Sequence, residues 1–183
     1  MHVSGFDLAY RQLLQKEGGY SDNPHDNGGK TMRGITEHVA RSNGYTGDMR
    51  DLSDDWARRI YRAEYWDHLR LDEVEFLSPA IAHELFDTGV NCGTGVALKF
   101  LQRALNAMNK SQSHYTDVAI DGQMGNRTLE ALGAYIARRG PEGITVLMRV
   151  LNALQGEHYI RIAERREVNE TFTYGWFLNR VFL

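Results

Sequence analysis

The sequence is short of several things at once. It has one cysteine, Cys92, among 183 residues. No intrachain disulfide and no multi-cysteine zinc site can form, and a lone cysteine ordinarily behaves as a small buried hydrophobe. It has only 3 prolines, and two of them, Pro79 and Pro141, stand where helices should start. No apolar run approaches the roughly 18 residues that a membrane-spanning helix needs. Met1 to Leu14 carries Asp7 and Arg11 and lacks the apolar core, about 7–15 residues long, of a signal peptide. The expectation is a chain made soluble in the cytosol, reaching any other compartment through another protein's action.

A basic excess is also missing. Lys plus Arg is 21 and Asp plus Glu is 24, for a net charge of −3. A nucleic-acid binder usually carries a surplus of cations to displace counterions from phosphates, so no nucleic-acid partner is expected. The charge is uneven: residues 51–87 hold ten acids against four bases, and residues 138–183 seven bases against five acids. That weakly basic tail is too mild for DNA and compatible with an anionic cell-wall polymer. With 42% hydrophobic and 25% charged residues, the chain reads as an ordinary globular protein. At this length it buries roughly 70% of the surface its unfolded form exposes.

What is present is mostly helical periodicity. Phe6, Tyr10, Leu13, Leu14 and Glu17 fall on one face of a first helix, which Gly18 and Gly19 should stop. Residues 20–36 carry Asn23-Pro24 and Asp26-Asn27-Gly28-Gly29, two turn-forming clusters that predict an irregular hairpin. Ser53 should cap a helix running through Trp56, Ile60 and Tyr65-Trp66. Ser78-Pro79 should open another toward Val90. Thr94 should cap one bearing Leu98, Leu101 and Leu105, and Asn126 a shorter one bearing Leu129, Leu132 and Ile136. Gly140-Pro141 starts the longest pattern, with Ile144, Leu147, Leu151, Leu154 and Ile162 as its stripe. The fold class is therefore mainly α, with one small hairpin after the first helix.

Glu17 is the candidate for the chemistry, against the ordinary alternative of a helix-end Glu reaching solvent. It ends an apolar stripe, so it should face inward, and burial raises a carboxyl pKa toward the range of a general acid. Asp26 lies nine residues later in a polar turn, where a carboxylate stays ionised. Two carboxyl groups in contrasting surroundings are the equipment for hydrolysing a glycosidic bond. One protonates the leaving oxygen, while the other activates water or stabilises the cationic transition state. Thr31 could hold a water beside Asp26. Read bottom-up and alone, Asp26 is more often an Asx-turn residue, and Thr31 is equally a β-branched strand residue.

These residues carry a resemblance. Glu17-Gly18-Gly19-Tyr20, Asp26-Asn27-Gly28-Gly29-Lys30-Thr31 and Gly34-Ile35-Thr36 resemble the N-terminal signature of glycoside hydrolase family 108, the N-acetylmuramidases of many phage and prophage endolysins. The likeness continues through Tyr65-Trp66, Phe86-Asp87, Val90-Asn91-Cys92-Gly93 and Leu101-Gln102-Arg103-Ala104-Leu105-Asn106. Asp121-Gly122 with Gly125 and Thr128, and Gly175-Trp176 with Asn179-Arg180-Val181, resemble the peptidoglycan-binding region that accompanies the family. The resemblance implies a lysozyme-like helical fold and cleavage of the β-1,4 bond between N-acetylmuramic acid and N-acetylglucosamine. It implies Glu17 as catalytic acid, with Asp26 and Thr31 in supporting roles. More distant phage lysozymes place one further residue before the Thr.

The expected organisation is a catalytic region over 1–95 and a peptidoglycan-binding region over 96–183, packed together. Tyr20, Tyr61, Tyr65 and Trp66 are candidates to stack on sugar rings, although aromatics at helical spacing are more often core. Asp87 and Asn91, four apart on one helix face, could reach a substrate groove or serve as structural hydrogen-bonding groups. Gln102 joins the substrate-binding set. The terminal cluster of Phe172, Tyr174, Trp176, Phe177 and Phe182 is expected to close a core.

No metal or cofactor is expected. His83-Glu84 begins like a zinc helix, but Asp87 stands where the second His belongs. The run from Asp117 to Asp121-Gly122 fails as a calcium loop, because Ala119 and Thr128 occupy ligand positions. The expected partners are peptidoglycan glycan strands, met by a monomer with no stable membrane association. The rival readings are a lytic transglycosylase acting on the same bond and a non-catalytic wall-binding phage protein.

Overall fold

The computed structural model describes residues 4–16, 19–21 and 30–181. Glu17, Asp26 and Phe182 lie outside the described residues. By packing, the chain divides into two compact units, Met1–Asp67 and His68–Leu183, a different partition from 1–95 and 96–183.

In the first unit, helix α1 spans Gly5–Lys16. Its expected stripe buries Phe6, Tyr10 and Leu13, each worth roughly 2 kcal/mol of removed apolar surface. Strands β1 (Thr31–Met32) and β2 (Ile35–Thr36) pair antiparallel, with Thr31 opposite Thr36 and Met32 opposite Ile35. Arg33 (φ 53°) and Gly34 (φ 76°) form the connection, with the positive φ at both central positions that a type I′ hairpin turn requires. Helix α2 (Glu37–Ser42) follows directly, and Thr36 caps it through a hydroxyl accepting from the Val39 amide at 3.4 Å. Sequence periodicity does not reveal α2, because six residues are too few to show a stripe.

Ser53 caps α3 (Asp54–Tyr61) as expected, its hydroxyl accepting from the Trp56 amide at 3.3 Å. Such a cap stabilises by about 1 kcal/mol. The helix does not run on unchanged to Trp66. It widens into a π-turn over Arg62–Asp67, an irregularity frequent at functional sites, which buries Trp66 and leaves Tyr65 half-exposed.

In the second unit, α4 (Leu71–Leu77) is a further helix absent from the sequence reading. The Ser78 hydroxyl then caps α5 (Pro79–Cys92), with Pro79 in the first turn. The chain reverses at Gly93 (φ 93°), which ends α5 and starts α6 (Thr94–Met108). Thr94 is thus the first helical residue and not the cap, since the sharp reversal needs the positive φ of glycine.

Helix α7 spans Asn126–Arg165 with a break at Gly140 (φ 61°, ψ −155°) ahead of Pro141, so the expected boundary there is real. Gly125 precedes it as the cap. The Asn126 side chain instead accepts from Arg70 Nη1 at 2.9 Å. The buried row of the second half is Leu147, Leu151, Tyr159 and Ala163, joined by Asn152, Gln155 and Gly156. Ile144, Leu154 and Ile162 are only half-buried. The inward face is rotated toward polar residues because α5 offers polar partners there, described below.

Helix α8 (Glu170–Arg180) lies against α7. Trp176 and Phe177 meet the Tyr159 ring at 5.2 and 5.9 Å. Phe172 is 49% and Tyr174 79% exposed, so the terminal aromatics do not form a closed core. One helix face cannot bury residues spread all round it.

Candidate active site

The described residues that flank Glu17 and Asp26 in the sequence belong to the first unit. Ser21 and Thr31 exchange two backbone hydrogen bonds, 2.8 Å each, in an antiparallel bridge. Thr31 therefore has Ser21 on one side and Thr36 on the other, and residues 22–30 connect the two ends of that bridge. The hairpin is tied to the helices by side-chain groups. Tyr61 donates its hydroxyl to the Arg33 carbonyl at 2.8 Å. The Arg33 guanidinium lies 3.6 Å from Asp54, and Asp54 also accepts from the Tyr10 hydroxyl at 2.9 Å. Burial and the Asp54 carboxylate raise the Tyr10 phenol pKa, so it stays a donor at any physiological pH.

A row of rings runs beneath this hairpin. Phe6 meets Tyr10 at 5.9 Å and Trp66 at 5.5 Å, Tyr10 meets Tyr61 at 5.7 Å, and Tyr61 meets Tyr65 at 5.5 Å. Tyr61 and Trp66 are 0% exposed. They are core rings, not sugar-stacking platforms, because the helical spacing that aligned them turns both inward. Tyr65 and Tyr20 are half-buried and keep a ring within reach of the surface. The Arg50 guanidinium sits over the Tyr20 ring at 5.4 Å, an arrangement worth about 0.5–1 kcal/mol when exposed. Arg50, Arg33, Asp54 and Tyr10 escaped the sequence reading. Tyr10 was legible only as part of a stripe, and nothing local marks the other three.

The remaining candidates belong to the second unit, and each is engaged there. Gln102 is 1% exposed. Its amide donates to Asp121 at 2.8 Å and to the Gln123 carbonyl at 3.0 Å, and its oxygen accepts from the Gly122 amide at 2.9 Å. It clamps a loop and cannot meet substrate. Gly122 is fixed there by space, since a Cβ on it would stand 2.8 Å from the Gly95 carbonyl oxygen. The hydrogen bond from Gln102 and the Gln123 amide hold the Asp121 carboxyl below its usual range. Asn106 extends the clamp by exchanging two bonds with the Val118 backbone, at 2.8 and 2.9 Å. Asn109 completes it by bonding the Gln112 amide and Asp117. Gln102 and Asn106 of α6 and Asn109, which caps its C-terminal end, recur at helical spacing, so one polar row holds the loop from residue 110 to 125.

Asp87 and Asn91 share a face of α5, as their spacing requires, but it faces other helices. Asp87 pairs with Arg180 of α8 at 3.0 Å, and Asn91 accepts from the Tyr159 hydroxyl of α7 at 2.6 Å. Glu84, one turn earlier, accepts from Asn152 at 3.1 Å. Both residues take the structural alternative, with partners on α7 and α8. Cys92 lies beside them, and burial pushes its thiol up to about 11.

Mainly helical, with a two-stranded hairpin after the first helix, the fold is that of a lysozyme-like protein. Residues 10–93 match the family model "Glycosyl hydrolase 108", and residues 96–181 match "Predicted Peptidoglycan domain". Residues 10–93 are thus a glycosyl hydrolase 108 domain, followed by that peptidoglycan domain. A solved structure described as "Structure of Brucella abortus SagA" is similar, with 25% identity and a TM-score of 0.69. The match covers 93% of this chain and 86% of that one. No protein of curated function matches. The protein is a glycoside hydrolase that degrades peptidoglycan and binds it through its C-terminal domain.

Proposed function

We propose that this glycosidase is an N-acetylmuramidase. It hydrolyses the β-1,4 bond between N-acetylmuramic acid and N-acetylglucosamine, with Glu17 as general acid and Asp26 as base or electrostatic partner. The observation that carries this reading is the family match over residues 10–93, which spans the Glu17-Gly18-Gly19 motif and Asp26. In the reaction Glu17 gives its proton to the bridging oxygen as the bond to the anomeric carbon breaks. Water adds to that carbon, and its proton passes to a carboxylate. The Ser21–Thr31 bridge and the Tyr61 tie to Arg33 supply the rigid support that such chemistry requires. Thr31, Tyr20 and Tyr65 are its supporting residues on the substrate side.

The proposed setting is that of an endolysin. A monomer accumulates in the cytoplasm of a bacterial host and acts on the wall once another protein has permeabilised the membrane. Among the described residues no helix is long and apolar enough to cross a membrane.

Purified peptidoglycan digested by the wild type and by Glu17→Gln tests the chemistry, with products read by mass and reducing end. The expected result is reducing N-acetylmuramic acid from the wild type and a loss of at least about 10²-fold in the variant, the scale of general acid catalysis. Products lighter by one water would make the enzyme a lytic transglycosylase instead. An undiminished rate in Glu17→Gln would remove Glu17 from the mechanism.

A further inference from the structure

The second unit holds a cavity of about 490 Å³ beside the break in α7, unconnected with any role assigned so far. Its floor is Tyr135, which is 2% exposed and donates its hydroxyl to the Gly143 carbonyl at 2.8 Å. Met108 and Val146 supply apolar wall, and Lys110, Arg139 and Glu142 carry charge around it. Gly143 is part of the construction, because a Cβ there would stand 2.1 Å from that of Arg139. Only glycine lets the two halves of α7 approach this closely at the bend.

Lys110 reaches this place through an unusual backbone. Lys110, Ser111 and Gln112 have φ of 54°, 53° and 61°, three consecutive left-handed residues without a glycine. Asn109 holds the turn, its side-chain oxygen accepting from the Gln112 amide at 3.0 Å and its carbonyl from the His114 amide at 3.2 Å. Strain of this kind persists where the surroundings enforce it and is concentrated at functional sites. His114, on the same loop, has its Nδ1 shut off from solvent with no hydrogen-bond partner among the described residues. Burial, followed by the charges of Arg138, Arg139 and Lys110, lowers its pKa, so three cations converge on this corner.

We propose that the cavity binds a free carboxylate of the peptide stems of peptidoglycan, Lys110 and Arg139 gripping the anion. This rests on the peptidoglycan-binding role of residues 96–181 and is independent of the chemistry at Glu17. The lining is two cations and one carboxylate. That balance suits a monoanion, whereas Glu142 repels a more highly charged phosphate. Tyr135, Met108 and Val146 offer apolar surface for the aliphatic part of a stem residue. Guanidinium and ammonium groups together provide charge-assisted hydrogen bonds to carboxylate oxygens.

The test is retention of the full-length Glu17→Gln protein on sacculi in the cold. One arm uses native sacculi, a second uses sacculi with stem carboxylates amidated by carbodiimide and ammonia, and a third uses sacculi stripped of wall phosphates. Lys110→Glu/Arg139→Glu is compared with Arg103→Glu/Arg149→Glu, an equal charge change at exposed sites elsewhere in the unit. Amidation and the Lys110/Arg139 variant should each weaken retention at least tenfold, and should have no further effect together. Phosphate removal and the control variant should leave it within twofold. Undiminished binding to amidated sacculi, equal loss in the control variant, or loss on phosphate removal would each overturn the proposal. The amidation arm needs no variant, so it decides even if the charge reversals unfold the chain.

Discussion

Two irregular segments interrupt this helical protein, and they are held in different ways. The hairpin of the first unit is held by backbone, through four paired residues and the Ser21–Thr31 bridge, with Tyr61 pinning its turn. The loop from 110 to 125 in the second unit is held by side chains, through the amides of Gln102, Asn106 and Asn109. A backbone ladder spreads its stability over many small contributions. An amide clamp concentrates it in a few buried groups that leave several partners orphaned when one is removed.

The sharpest way to break that comparison in the second unit is Gln102→Ala. It removes the part-buried bonds to Asp121, the Gln123 carbonyl and the Gly122 amide, and should cost roughly 2 kcal/mol in urea unfolding. Tyr61→Phe strips one hydroxyl from the hairpin and leaves the ring row intact. It should cost about 1 kcal/mol, with a fall in glycosidase rate larger than the fall in sacculus binding. An equal fall in both would contradict a local role.

Two pH effects sharpen the contrast further. The folded-state pKa of Asp121 is depressed. Its stabilisation is therefore present above the unfolded pKa near about 3.9 and lost as pH falls through the folded value. Asp121→Asn should flatten that acid limb in denaturation curves taken between about pH 5 and pH 2. Cys92 has the opposite sign. Its folded pKa is raised to about 11, so its contribution is complete below the unfolded pKa near about 8.5 and declines as pH rises through the folded value. Thiol alkylation at pH 8 should accordingly be slow in the folded chain and fast in urea.

The sequence revealed what periodicity and capping chemistry can reveal. Ser53, Ser78-Pro79 and Gly140-Pro141 mark real helix starts, because each acts through its immediate neighbours. Helices α2 and α4 did not show, being shorter than two turns of stripe. Burial direction was the weak point at the site. Tyr61 and Trp66 look like sugar-stacking rings in the sequence, yet they are core, since spacing says which residues share a face and not what that face meets. Gln102 failed for a related reason: a buried polar residue in a motif reads as functional until its partners, nineteen to twenty-one residues away, are seen. Arg33 and Arg50 left no sequence signal at all, as their roles arise from tertiary placement.

The place where the two units divide bears on how such an enzyme is inherited. The glycosidase match runs to residue 93, yet helices α4 and α5, residues 71–92, fold into the same compact unit as the peptidoglycan domain. The Glu84, Asp87 and Asn91 face of α5 is completed by Asn152, Arg180 and Tyr159. A cut at the family boundary would leave three of those partners without their counterparts. The catalytic and wall-binding parts of this chain are therefore poor cassettes. Recombination between relatives should preserve α5 together with the helices that follow it, and swap material, where it does, ahead of residue 68.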